Sequence, residues 1–386
     1  MEPPSPVATV QSLMLEYAAL TGLSPVGETP RRYLWTDAFA LCNLLELFRR
    51  TNEGEWRELA LRLVDQVHHI LGRHRADAPR SGWISGLDDA EGELHPTRGG
   101  LRIGKRLGER SPGDPLDESL EWERDGQYYH YLTKWMHALS RLGRVTGMAA
   151  CAGWGIELAQ TAHAAFVSPS SRRMYWKMSI DLTRPLVASM GQHDPLDGLV
   201  TYCELRAAAV ALGLPPQFSL DDAIAEMAAI CRGKQWATAD PLGIGGLLCD
   251  AWRIAQLTDS GAFGDTLLLE SVAAAALEGL AAFAGGDSLA CPAAYRLPFR
   301  ELGLAIGLKG VASLQEWLEK NPARVVPKSP LRRTIAALAG YRPLAGEIEG
   351  VWLEGRNRKA ETWREHRDIN MVMLATSLAP DTFLSV

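Results

Sequence analysis

Six stretches of this chain are apolar on nearly every face: residues 35–48, 128–142, 199–212, 244–257, 302–308 and 369–378. A helix without a polar stripe cannot lie at a surface and needs neighbours on all sides. Other stretches are amphipathic. Residues 7–20 put Val7, Val10, Leu13, Tyr17 and Leu20 on one face, and 55–74 do the same with Trp56, Leu59, Leu63, Val67, Ile70 and Leu71. Residues 156–166, 220–231, 266–283 and 331–339 repeat that helical period. Strand patterning is confined to 174–182. The expectation is an all-α chain in which buried helices alternate with covering ones.

Composition narrows the function. With 386 residues, 47% hydrophobic and 22% charged, the chain is ordinary globular material, expected to form one domain over 1–386. The formal charge of −6 argues against nucleic-acid partners. Cys42, Cys151, Cys203, Cys231, Cys249 and Cys291 are scattered without a CxxC or a close histidine, as suits reduced core residues rather than disulfides or zinc ligands. The N-terminus lacks the basic and apolar regions of a signal peptide. No apolar run is read as long enough to span a bilayer, so the expected location is cytoplasmic, away from membranes.

Residues 80–125 break the helical pattern with carboxylates, histidine, tryptophan and a glycine-rich basic stretch. A long insertion inside a compact chain is usually functional or disordered, and disordered segments are poor in aromatics. Trp83 and Trp122, with Tyr128, Tyr129 and Tyr131 just beyond, mark it as an ordered active-site loop. A polar cluster also precedes each buried stretch: RRYLWTD, ERDGQYYH, GQHDPLDG, ATADPLGIGG, YRLPFRELG and EHRDIN. Helix capping explains any one of them. If the six buried helices form an inner ring, the clusters together build a carboxylate-rich bowl.

With RYLWTDAF and DGQYYHYLTKWMHAL at inner-helix starts, the chain resembles the six-hairpin glycosidase superfamily, which includes glycoside hydrolases and the N-acylglucosamine 2-epimerase group. The resemblance spans nearly the whole chain as helix order and loop chemistry. It implies an (α/α)6 toroid of six inner and six outer helices, with the long insertion at 80–125 contributing to a sugar-binding bowl. Fold alone does not dictate function.

Three functions compete. Glycoside hydrolysis needs two carboxyl groups, one protonated. Asp89 in the loop and Asp125 at the next helix start form the expected pair, although a solvated turn at GLDDAEGE and an N-cap at Asp125 explain the same residues. Sugar epimerisation or isomerisation needs acid–base groups near neutrality, for which His130 and His366, at the starts of inner helices, are the candidates. A toroid that binds a saccharide or protein without chemistry is the third. Terpenoid-synthase, lanthionine-cyclase and GxSxG-type readings lack their motifs.

The substrate-binding candidates are Trp35, Trp83, Trp122, Tyr128, Trp176 and Trp236, whose rings suit flat sugar faces, with Asp37 and Asp197 as polar partners. In HPTRGGLRIGKRLGER, Arg102 and Lys105 are the candidates for an anionic sugar, and the alternative is a flap whose arginines neutralise nearby acids. The stretch is neither a Walker A loop nor a dinucleotide fingerprint. No metal site and no cofactor are expected.

Overall fold

A computed structural model describes residues 5–168, 172–324 and 329–386. The chain divides into two compact units, Met1–Tyr17 with Gly233–Val386, and Ala18–Arg232. Helix α1 (Pro6–Thr21) carries the sequence from one to the other.

The unit Ala18–Arg232 contains α2 (Leu34–Thr51), α3 (Gly54–Leu71), the short α4 (Asp89–Leu94) and α5 (Glu118–Glu123), α6 (Tyr129–Thr146), α7 (Ala149–Phe166), α8 (Asp194–Ala211) and α9 (Asp221–Cys231). Helix α6 packs between α2 and α8, while α3 covers α2, α7 covers α6 and α8, and α9 covers α8. The three inner helices are the all-apolar stretches of the sequence. In α2, every residue from Leu34 to Leu47 is buried. The strand signal at 174–182 becomes short ladders. Strands β1 (Gln127–Tyr128), β4 (Lys177–Met178) and β5 (Pro185–Val187) form one antiparallel sheet in that order, and β2 (Val167–Ser168) pairs with β3 (Arg173–Met174). Gln127 faces Met178 across β1 and β4, which ties the start of α6 to the segment carrying Trp176.

The insertion at 80–125 is held by buried polar contacts. Asp125 is fully buried and accepts from Arg102 Nη1 at 2.8 Å, the Gly104 N–H at 3.0 Å and Arg75 Nη1 at 3.4 Å. Arg102 also donates to the carbonyls of Ile70 and Arg73 at the end of α3. Gln127 bridges the same loop, accepting from the Leu101 N–H and donating to the carbonyls of Gly99 and Ile180. Gly104 is required where it stands. Its φ is +94°, and a Cβ there would lie 2.2 Å from the Arg32 carbonyl oxygen.

The other unit contains α10 (Pro241–Asp259), α11 (Thr266–Ala284), α12 (Pro298–Lys320), α13 (Leu331–Ala339), α14 (Pro343–Leu353), α15 (Glu361–Arg364), α16 (Arg367–Leu378) and α17 (Asp381–Leu384). Helix α12 packs against α10, α13, α14 and α16. Its approach to α10 is through glycine: a Cβ on Gly245 would lie 2.1 Å from the Gly303 carbonyl oxygen. Arg296 and Glu301 form a buried bidentate pair at 2.8 and 2.7 Å, and Trp352 Nε1 donates to the same carboxylate.

One expectation needs correction. Helix α11 is long and apolar enough, by length and composition, to cross a membrane. Its many alanines lift its hydropathy without making it a lipid-facing rod. Leu269, Val272, Ala276 and Leu280 are buried, and the helix packs on α10 and α13 as a covering helix does.

Candidate active site

The starts of α2, α6 and α8 meet at one end of the Ala18–Arg232 unit. Tyr33, just before α2, shares a 2.6 Å hydrogen bond with the Tyr131 hydroxyl in the first turn of α6. One turn along α6, Lys134 Nζ lies 2.7 Å from Asp197 Oδ1 in the first turn of α8, and Thr133 donates its hydroxyl to the same carboxylate. Pro195 at the head of α8 presets the backbone of that turn, so Asp194 and Asp197, three residues apart, project towards α6.

His130 is the centre of the arrangement. Its ring stacks on Tyr128 at 5.4 Å and lies nearly parallel to Trp176 at 6.2 Å, with an interplanar angle of 10°. Its Nδ1 is buried 3.8 Å from Asp194 Oδ1. The side chain as a whole stays 30% exposed, with Nδ1 on its buried side. Burial, helped by the Lys134 charge, pushes the imidazole down to about 4, against the opposing pull of Asp197. Asp194 moves the other way. Burial and the neighbouring Asp197 charge raise its carboxyl to about 7, with Lys134 and a Gly191 backbone hydrogen bond opposing. His130 Nδ1, Asp194 Oδ2 and the Tyr128 hydroxyl are buried without a hydrogen-bond partner among the described residues. Such groups are costly and uncommon in folded chains.

Around this pair runs an aromatic wall. Trp122, half-exposed on α5, meets Trp176 edge-on at 4.7 Å, and Trp176 lies 4.9 Å from Tyr128. Tyr131 touches His130 at 4.8 Å and Tyr33 at 5.5 Å. Trp35 is buried against Phe39 and reaches Tyr131 at 6.5 Å. Lys105 Nζ sits 5.5 Å from the Tyr33 ring. Among the described residues its ammonium has no carboxylate within ion-pair distance, and burial lowers its pKa against the opposing charges of Glu123 and Asp125.

The remaining candidates fall elsewhere. Asp89 is exposed on α4 and pairs with Arg73 at 3.0 Å, while Asp125 is engaged by Arg102 and Arg75. The two carboxylates therefore answer to different arginines. Arg102 is committed to Asp125 and two carbonyls. Trp83 is 2% exposed, capped by the Arg73 guanidinium at 4.4 Å, and packs so closely that a Cβ on Gly92 would lie 2.2 Å from it. Asp37 accepts from the Tyr33 N–H at 3.0 Å and pairs with Arg32 at 3.5 Å, which is helix-start capping. In the other unit, His366 is exposed before α16 with its ring 5.9 Å from Phe299, and Trp236 is buried.

Sequence reasoning overlooked Asp194, Thr133, Lys134, Tyr33 and Tyr131. The signal was present in HDPLD. Two acids three apart on either side of a proline share one face of a first helical turn, and a histidine and lysine four apart in HYLTK share one face of the helix that meets it.

No family model matches the chain, and no curated protein matches it by sequence. Solved structures do. A GH76 α-mannanase from Bacteroides thetaiotaomicron matches with TM-score 0.53 at 9% identity, covering 98% of this chain and 99% of its own. Cellobiose 2-epimerase from Spirochaeta thermophila matches with TM-score 0.50 at 13% identity, covering 99% and 100%. A sugar epimerase from a ruminal bacterium gives 0.50 at 10% identity, covering 96% and 98%. The fold is the six-hairpin (α/α)6 toroid. Identities this low establish the toroid alone and leave its chemistry to the residues of this chain. Helices α2, α6, α8, α10, α12 and α16 carry the six all-apolar stretches of the sequence.

Proposed function

We propose that the chain is a cytoplasmic carbohydrate-active enzyme that moves a proton next to the carbonyl of a ring-opened sugar, as an isomerase or epimerase, with His130 as base and Asp194 as its partner. One observation carries this reading: the 3.8 Å contact between a neutral, partly open imidazole and a carboxyl raised to about 7. Nε2 of His130 takes the carbon-bound proton and returns it to the neighbouring carbon. Asp194, behind Nδ1, holds its own proton below about 7, so the imidazole works beside an uncharged carboxyl and readily gives the proton back. Trp176 and Trp122 supply flat faces for the sugar, and Tyr128, buried, backs the His130 and Trp176 rings rather than meeting the sugar.

A second reading rests on Asp194 and Asp197. One of these carboxyls holds its proton near neutrality, and the other is ion-paired to Lys134. That division of labour also suits glycoside hydrolysis, with Asp194 as acid. It displaces Asp89 and Asp125, each of which is engaged by arginine. Asp125 then positions the 80–125 loop.

Proton NMR of the purified protein in D2O with pooled aldoses, ketoses and disaccharides separates the two. Deuterium entering beside the carbonyl carbon without bond cleavage, and lost in His130→Asn, supports isomerisation. Free-sugar anomeric signals appearing from disaccharides, and lost in Asp194→Asn, select hydrolysis. Line broadening without conversion leaves a binding protein.

A further inference from the structure

Lys105 stands apart from the other basic residues of its loop. Arg102 directs its guanidinium to Asp125 and to the Ile70 and Arg73 carbonyls. Arg75 directs its own to Asp77, Asp125 and the carbonyls of Lys105 and Arg106. With both arginines on it, the Asp125 charge is already answered. Lys105 is half-buried and has no ion-pair partner among the described residues. It rests at 5.5 Å from the Tyr33 ring, whose hydroxyl bonds Tyr131, the residue edge-on to His130. A cation, two tyrosines and a histidine thus run continuously along one end of the unit.

Resting on the reading of His130 as the working base, we propose that this site takes an anionic monosaccharide, a uronic acid, with Lys105 Nζ binding the carboxylate and the Tyr33–Tyr131 pair lying between it and His130. A charged hydrogen bond to a partly desolvated ammonium is among the stronger polar contacts available. The charges around Lys105 decide between anions. Glu123 and Asp125 act on Lys105 through their negative charge, which repels a dianionic phosphate more than a monoanionic carboxylate. Gly104, next to Lys105, keeps the backbone pressed on Arg32 so that the lysine is presented from a fixed loop.

Calorimetric titration of the full chain with glucuronate, glucose and glucose 6-phosphate tests this without requiring turnover. Glucuronate should bind roughly tenfold more tightly than glucose, the size of one charge-assisted hydrogen bond. Lys105→Met should abolish that preference, Lys105→Arg should keep most of it, and raised salt should shrink it. Tighter binding of glucose 6-phosphate overturns the uronate assignment. Equal binding of the acid and neutral sugars, a preference that survives Lys105→Met, or no binding of any of the three overturns the site. His130→Asn separates the two proposals: it should remove deuterium exchange while leaving the Lys105-dependent preference intact. If the preference holds and no exchange occurs in the native chain, the catalytic reading fails and the anion site stands.

Discussion

Asp194 and His130 face one another at 3.8 Å, Oδ1 to Nδ1, with their proton affinities displaced in opposite directions, the carboxyl up to about 7 and the imidazole down to about 4. Both shifts come first from burial, which disfavours charge on either group. The pair is therefore neutral over the range where each, alone in water, would carry a charge.

That window sets the pH profile of any reaction it runs. Turnover requires the imidazole free of its proton and the carboxyl holding one. The rate should rise through about 4 and fall through about 7, limits that belong to the coupled pair. His130→Asn should lower kcat by about 10²–10⁴. Asp194→Asn should remove the alkaline limb. A profile unchanged in Asp194→Asn excludes the carboxyl from the reaction.

Asp194 also leaves a stability signature. An ordinary aspartate has a pKa of 3.8, the value taken for the unfolded chain, and in the fold it is about 7, so between those values the folded chain binds the additional proton. The stability so gained is complete below 3.8 and is lost as pH rises through about 7. Asp194→Asn, neutral at every pH, should gain more on the native protein at pH 8 than at pH 5. Thermal melts at the two pH values decide.

His68 works in the opposite sense. It is buried, accepts a hydrogen bond from Trp135 Nε1 at 3.2 Å and is pushed down to about 3 by burial and His69. Folding therefore disfavours its proton, and the contribution is fully present above 6.5 and lost as pH falls towards about 3. His68→Gln retains an acceptor for Trp135 and should show a smaller drop in urea midpoint between pH 7 and 4.5. A drop as large as the native protein's would place the acid sensitivity elsewhere.

Asp125→Ala should cost about 3–5 kcal/mol, because it leaves the largely buried Arg102 without its partner. Cleavage by added protease within 80–125 should accelerate more than cleavage elsewhere. Uniform acceleration would mean that the carboxylate stabilises the unit at large.

In the other unit, Gly245→Ala inserts a methyl 2.1 Å from the Gly303 carbonyl oxygen, between the backbones of α10 and α12. The expected cost is about 1–3 kcal/mol of stability. Chemical denaturation measures it, and a neutral result would show that the two helices separate freely.

By itself, the sequence determined the all-α class and the places of its buried helices. Residues 35–48 and 369–378 are legible because burial on all sides leaves a mark in every consecutive residue, and 331–339 because an amphipathic stripe repeats every turn. Of the residues singled out in the sequence, His130 and Asp197 lie in first helical turns and Trp122 and Trp176 in or beside the loops around them, and the structure brings these four to the start of α6. What each charge does was decided only in three dimensions. Asp125 and Asp194 both stand at helix starts, and no local pattern distinguishes them. Asp125 meets Arg102, 23 residues away, and becomes a buried staple, while Asp194 meets His130 and Asp197 with no arginine and keeps a mobile proton. A carboxyl's proton affinity depends on burial and on which charges fold back against it, and those partners are chosen by how the helices pack.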